Sequence, residues 1–334
     1  MTDQDIKVGS GLIRSARVRR WRAATLSMAA FCVSVARLGI GGEAVTATYV
    51  GPAVCGTCHS GLVTTNRPPA YHRKLVEACA RSAHAGTLFD ARKEPAKVVA
   101  PFTAESPLQR GQIAYAFGAG RGEQRYSDAA FTLLTWKWDV RGEQWASQPA
   151  VDAYAQCVGC HATGYDVAKK KWQAMGVTCE ACHGPGSLHA ADAGKTRMLA
   201  LRSLPAGRRG MVCGQCHSDG TEPAKVHPFP VGYRPGEDLA RFLTFSPKPR
   251  PGPKYTELAG SKHAKMNVLC TDCHDPHGPV DGTANQLLKP VIELCQTCHG
   301  EKTMAKHAPQ APGDATCATC HMAGGAHTFR KAQQ

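Results

Sequence analysis

The 334-residue sequence predicts a mostly α and irregular fold, with short helices and coil wrapped around bound groups that stand in for a side-chain core. Three observations predict it. The chain holds 16 cysteines, more than a cytosolic enzyme uses. Aromatic residues reach only 7%, and the 43% hydrophobic fraction leans on Ala and Cys. Glycine and proline contribute 34 and 22 residues, which breaks up regular structure.

The N-terminus reads as a secretory signal peptide over residues 1–47. Arg14, Arg17, Arg19, Arg20 and Arg22 precede a short apolar stretch from Ala23 to Val35 and a small-residue zone ending at Val45, Thr46 and Ala47. The apolar stretch is short for a bilayer span and Arg37 interrupts it, so an uncleaved leader is the one membrane contact the sequence offers. Phe31 before Cys32 is too bulky for a lipoprotein cleavage site. The mature chain therefore begins near Thr48, in the periplasm or at the cell surface.

The organising feature is a pentapeptide, Cys-x-x-Cys-His. It occurs at Cys55, Cys58 and His59; Cys157, Cys160 and His161; Cys179, Cys182 and His183; and Cys213, Cys216 and His217. Three further copies hold Cys270, Cys273 and His274; Cys295, Cys298 and His299; and Cys317, Cys320 and His321. These seven copies consume fourteen of the sixteen cysteines. Two thiols three positions apart add to the two vinyl groups of one haem, and the next His lies under the iron. Zinc or disulfides would need no His after every second Cys. The sequence thus predicts seven covalently attached haem c groups.

Each iron keeps a second axial position, and eight histidines remain: His72, His84, His189, His227, His263, His277, His307 and His327. His277 lies three residues after His274, His327 six after His321, and His189 six after His183. None can wrap to the far face of its own haem, so each is expected on a neighbouring haem. The Met residues repeat at no fixed offset from the motifs, so the irons are expected to be mainly bis-His and low in potential.

The formal charge is +14, and +10 without the leader, a balance that ordinarily invites nucleic acid. Seven haems would bring about fourteen propionate charges that offset it. With no nucleic-acid module in an exported chain, nucleic acid is excluded. Between Cys79 and Cys157 lies GQIAYAFGAGRGEQRYSDAAFTLLTWKWDVRGEQW, read as a small β-hairpin or meander near 112–145, with Trp136, Trp138 and Trp145 packing on a haem or on a strand face. The run SPKPRPGP from Ser246 to Pro253 reads as a linker between a four-haem part, 48–245, and a three-haem part, 254–334. Cys79, unpaired, reads as a buried small side chain.

From Tyr49 to Asp238 the chain resembles the cytochrome c-554-like multihaem proteins, whose founding member is a tetrahaem electron acceptor of hydroxylamine oxidoreductase. YVGPAVCGTCH, RSAHA, CVGCHATGYD, GVTCEACHGPGSLHA, VCGQCHSDG and FPVGYRPGEDL carry the resemblance. It implies that His84 and His189 are distal ligands. GSKHA, CTDCHDPHG and CQTCHGEK resemble the doubled motifs of respiratory multihaem cytochromes, which supports His263, His277 and His307; His327 fits by position. The chain departs from the pattern after His59, where residues including His72 are inserted and Cys79 stands where an aromatic is usual. The seventh ligand stays open between His72 and His227.

The predicted function is electron transfer between respiratory redox partners, with no catalytic residue. The competing class is a haem oxidoreductase acting on a small nitrogen or sulfur compound at a five-coordinate haem. Against it, no motif has the Cys-x-x-Cys-Lys form found in resembling nitrite and tetrathionate reductases. A polymer-forming subunit is the third class.

Overall fold

The computed structural model describes residues 46–61, 69–247, 252–278, 284–300 and 315–329, and residues 46–334 form one compact unit. Residues 1–45 of the leader, His307 and residues 248–251 of the Ser246–Pro253 run lie outside the described residues. Among the described residues, no helix is long and apolar enough to cross a membrane.

Six of the seven motifs fall on short helices or end one: α1 (Pro52–His59), α4 (Val158–His161), α5 (Cys179–His183), α7 (Ala206–His217), α10 (Val291–His299) and α11 (Cys317–His321). The motif at Cys270 sits in a 3-10 turn, Cys270–Asp272, closed by the His274 amide donating to the Cys270 carbonyl at 2.9 Å. Helical spacing is what the chemistry needs, because positions i, i+3 and i+4 share one face. Among the described residues the remaining helices are α2 (Pro69–Arg81), α3 (Ala153–Gln156), α6 (Ser187–Ala191), α8 (Lys254–Ala259) and α9 (Lys262–Lys265). The chain after the Pro-rich run packs back at once, with α8 against α7: the Tyr255 ring closes on Gly210 and Gly214.

The expected small hairpin or meander is a five-stranded antiparallel sheet in the order β1 (Leu88–Asp90), β2 (Tyr115–Phe117), β3 (Glu123–Ser127), β4 (Leu133–Asp139) and β5 (Gln144–Ser147). The fold is therefore mixed rather than mostly α. Sequence periodicity misses β1 because it is three residues long and separated from β2 by a 24-residue loop. Its register, Leu88 opposite Phe117 and Phe89 opposite Ala116, sets two buried faces. On one, Phe89, Ala116, Tyr126 and Trp138 pack under the loop residues Ala100, Leu108 and Ile113. On the other, Leu88, Phe117 and Leu133 pack against Phe131, Val158 and Ala162, the last two belonging to the motif helix α4 and its extension. Trp138 and Trp145 meet edge to face at 5.4 Å on the first face, so they serve the sheet's own core.

The fully buried Gln124 closes that core with all four hydrogen-bonding positions used. Its oxygen accepts from the Val99 amide and the Tyr126 hydroxyl, both at 3.0 Å, and its amide donates to the Lys97 and Gly118 carbonyls. Two small pairs complete the sheets: β6 (Ala162–Thr163) with β7 (Ala174–Met175), and β8 (Gly220–Thr221) with β9 (Thr244–Phe245).

Gly176, just after β7, has φ +77°, and a Cβ there would stand 2.2 Å from the Ala85 carbonyl oxygen. The next amide, Val177, donates to the His84 carbonyl at 2.8 Å. Gly176→Ala is expected to destabilise the protein by about 3 kcal/mol in denaturant titration and to displace the His84 segment. A stability equal to wild type would contradict this packing.

Candidate haem sites and their histidine pairs

The motif helices bring thiols from different pentapeptides together. Cys55 lies in hydrogen-bonding reach of Cys179, Cys213 of Cys270, Cys216 of Cys160, and Cys295 of Cys317. The hydrogen bond between Cys55 and Cys179 pushes the Cys55 thiol up, with burial adding to it, and pulls Cys179 down to about 7. Attachment points from separate parts of the sequence thus meet in space.

The histidines pair with the same selectivity. His183 faces His277 with ring centres 6.2 Å apart and planes at 9°. His59 faces His189 at 6.2 Å, His217 faces His84 at 6.2 Å, His274 faces His327 at 6.0 Å, and His299 faces His263 at 5.9 Å. In every pair one ring belongs to a pentapeptide and the other does not. Metal–imidazole bonds of about 2 Å on opposite faces of one metal put ring centres about 6 Å apart, the spacing of all five pairs.

The outer ring nitrogens reinforce the arrangement. Nδ1 of His161, His183, His189 and His274 lies 2.8–2.9 Å from the carbonyls of Thr87, Leu199, Thr196 and Asn285. His327 Nδ1 lies 3.0 Å from the Gly325 carbonyl, and His277 Nδ1 lies 3.2 Å from the Asp275 carboxylate. An Nδ1 proton held this way leaves Nε2 as a lone-pair ligand. Among the described residues His263 Nδ1 is buried with no hydrogen-bond partner. Burial pushes His217 down to about 4, assisted by the neighbouring His84 and His274, and burial lowers His161 as well. Neutral imidazole is the form that ligates iron. The residues present therefore fit haem c.

Two of the distal candidates among the described residues, His72 and His227, stand apart from these pairs. His72 on α2 approaches the His59 ring at 5.6 Å and 54°. His227 is held by the Ala155 carbonyl at 2.9 Å and stacks on Phe229 at 4.9 Å, along the back of the Cys157 segment, where Phe229 fills the space beside Gly159. Neither faces His161. The ring that meets His161 is Phe117, edge-on at 5.6 Å. Cys79 is half-buried, its thiol pushed up to about 12 by burial and then by Cys179 and Asp275.

Sequence reasoning passed over Phe117, the carbonyls that orient the rings, and Glu180. The Glu180 position is one of the two variable residues of its pentapeptide, so the motif gave it no signal.

Repeated thiol pairs, each followed by an imidazole, and a second imidazole facing most of them define a multihaem c-type cytochrome, a carrier of electrons on covalently bound haem. The chain belongs to that class. Within it, residues 124–184 match the family described as cytochrome c554 and c-prime, and residues 263–304 match the doubled CXXCH motif. The multiheme cytochrome MtrA of Shewanella baltica is 32% identical over 161 residues, 40% of this chain and 46% of that protein. The chain thus matches less than half the length of that curated relative. The fold is similar to that of the outer cell wall cytochrome OcwA, at a TM-score of 0.65 and 22% identity over 84% of this chain and 79% of that one. It is also similar to an undecaheme cytochrome from the S-layer of Carboxydothermus ferrireducens, at 0.52 and 19% identity over 86% and 52% of the two chains.

Proposed function

We propose that the protein is an exported heptahaem conduit that passes electrons between respiratory redox partners through mainly bis-His haems. The observation that carries this reading is the set of five histidine pairs at 5.9–6.2 Å, each joining a pentapeptide to a histidine from elsewhere in the chain. In this reading the haem supplies reversible one-electron chemistry, and the chain fixes ligands, order and surroundings. His189, His277, His84, His327 and His263 cap the haems on His59, His183, His217, His274 and His299. His307 is left for the haem on His321.

The pairing gives the haems an order. His189 follows the His183 motif and caps the haem on His59, so those two haems are neighbours, and the Cys55–Cys179 contact agrees. By the same logic His277 joins the haem on His183 to the haem on His274, and His327 joins that one to the haem on His321. Cys295 and Cys317 then bring in the haem on His299. The haem on His217 meets the line through Cys213 and Cys270, and the haem on His161 attaches to it through Cys160 and Cys216 as a side branch. Export, the division at 246–253 and an outer or periplasmic destination belong to the same proposal, supported by the leader and by the cell-surface setting in the names of two similar structures.

One observation favours a second activity on the branch. Among the described residues no histidine ring faces His161, and Phe117 meets it instead. In this reading the haem on His161 is five-coordinate and takes a small ligand such as nitric oxide, which makes it the place where a small nitrogen or sulfur compound is reduced. The test is electron paramagnetic resonance of the oxidised holoprotein, with optical spectra of the reduced form under carbon monoxide. One high-spin haem that binds the gas is expected, and it should persist in His227→Ala. Seven low-spin haems blind to the gas would leave a pure conduit.

A further inference from the structure

We propose that Glu180 is a tuning residue for the haems on His59 and His183, its buried charge lowering the potentials of both. The inference rests on the haem-conduit reading above. Glu180 is fully buried inside the CEACH pentapeptide. A buried acid is costly unless its oxygens are satisfied. Here Oε2 accepts from the Gly51 amide at 2.7 Å and the Val50 amide at 3.1 Å, while Oε1 accepts from Val50 at 3.0 Å and Gly186 at 2.8 Å. Both oxygens act as acceptors toward backbone N–H groups, the pattern of an ionised carboxylate. Among the described residues it joins no salt bridge, so amide dipoles solvate the charge without neutralising it.

Its location decides what the charge does. Val50 and Gly51 lead directly into α1, which carries Cys55 and His59, and Glu180 itself sits on α5 beside Cys179. The carboxylate therefore lies where the two attachment sites meet. A fixed negative charge in a low-dielectric interior stabilises ferric over ferrous iron, and net charge beside a haem is one of the levers on its potential. The same hydrogen bonds strap the chain at Thr48–Gly51 to the start of α6, where the Thr48 amide also donates to Ser187 Oγ at 2.8 Å.

Haem-resolved potentiometry by electron paramagnetic resonance separates tuning from strapping. In Glu180→Gln the midpoints of the haems on His59 and His183 should rise while the other low-spin haems stay in place. Ser187→Ala loosens the strap without touching the charge and should move no midpoint. Unchanged midpoints in Glu180→Gln, or an equal rise in Ser187→Ala, would overturn the proposal. Should Glu180→Gln not accumulate as holoprotein, Glu180→Asp carries the question: it keeps the charge and must hold both midpoints at wild type, and a rise there overturns the proposal. Haem content and spin state of the wild type report separately on the conduit reading.

Discussion

Replacing His277 with alanine is expected to strip the sixth ligand from the haem on His183 and to leave the haem on His274 bis-His. The argument is geometric. His277 follows His274 by three residues, too few to reach the far face of the same haem, and its ring instead lies parallel to His183 at 6.2 Å. Asp275 holds His277 Nδ1 and so aims Nε2 away from its own motif. The variant should lose one whole low-spin signal and gain one high-spin signal, and the affected midpoint should rise because a basic ligand that favours ferric iron has gone. Since His277 also ties two haems together, electron flow past this point should slow in stopped-flow reduction. Loss of ligation confined to the haem on His274 would contradict the pairing.

The second large effect is on folding. A chain made without haem attachment is expected to remain unfolded beyond its sheet region. Each haem offers roughly 500 Å² of apolar surface, worth about 12 kcal/mol on burial as an upper bound. The side-chain clusters concentrate around the sheet from Leu88 to Leu133 and Trp138, with a third small cluster at Tyr233, Leu239 and Leu243. Among the described residues α1, α10 and α11 bury no residue of their own. Circular dichroism and amide exchange on protein produced without the haem-attachment machinery should show protection at Tyr126 and Gln124 at most, and none along α10 or α11. A cooperative unfolding transition over the whole haem-free chain would contradict a haem-built core.

What was legible in the sequence followed from the rigidity of the chemistry. Haem attachment fixes residue types and spacing, so all seven pentapeptides, each ending in a histidine, could be read directly. That His189, His277 and His327 face histidines of other pentapeptides was legible for the same reason, because short spacers keep each from the far side of its own motif. Partners brought together by tertiary packing were not. His84 reaches His217 across more than a hundred residues, held by the Val177–His84 hydrogen bond behind Gly176. The sheet was under-read because β1 is three residues long and both faces of the sheet are buried, which erases the polar alternation that marks a strand. Glu180 was invisible because a charged residue in a short motif reads as solvated surface, and only the amides of Val50, Gly51 and Gly186 show otherwise.

The central claim is a chain of cross-ligated haems, and quantitative low-temperature electron paramagnetic resonance of the oxidised holoprotein tests it most directly, with haem content fixed by intact mass. The account predicts seven haems per chain, six low-spin and one high-spin, with the low-spin signal of the haem on His183 disappearing in His277→Ala. Fewer haems, or a His277→Ala spectrum in which that signal survives, would contradict it.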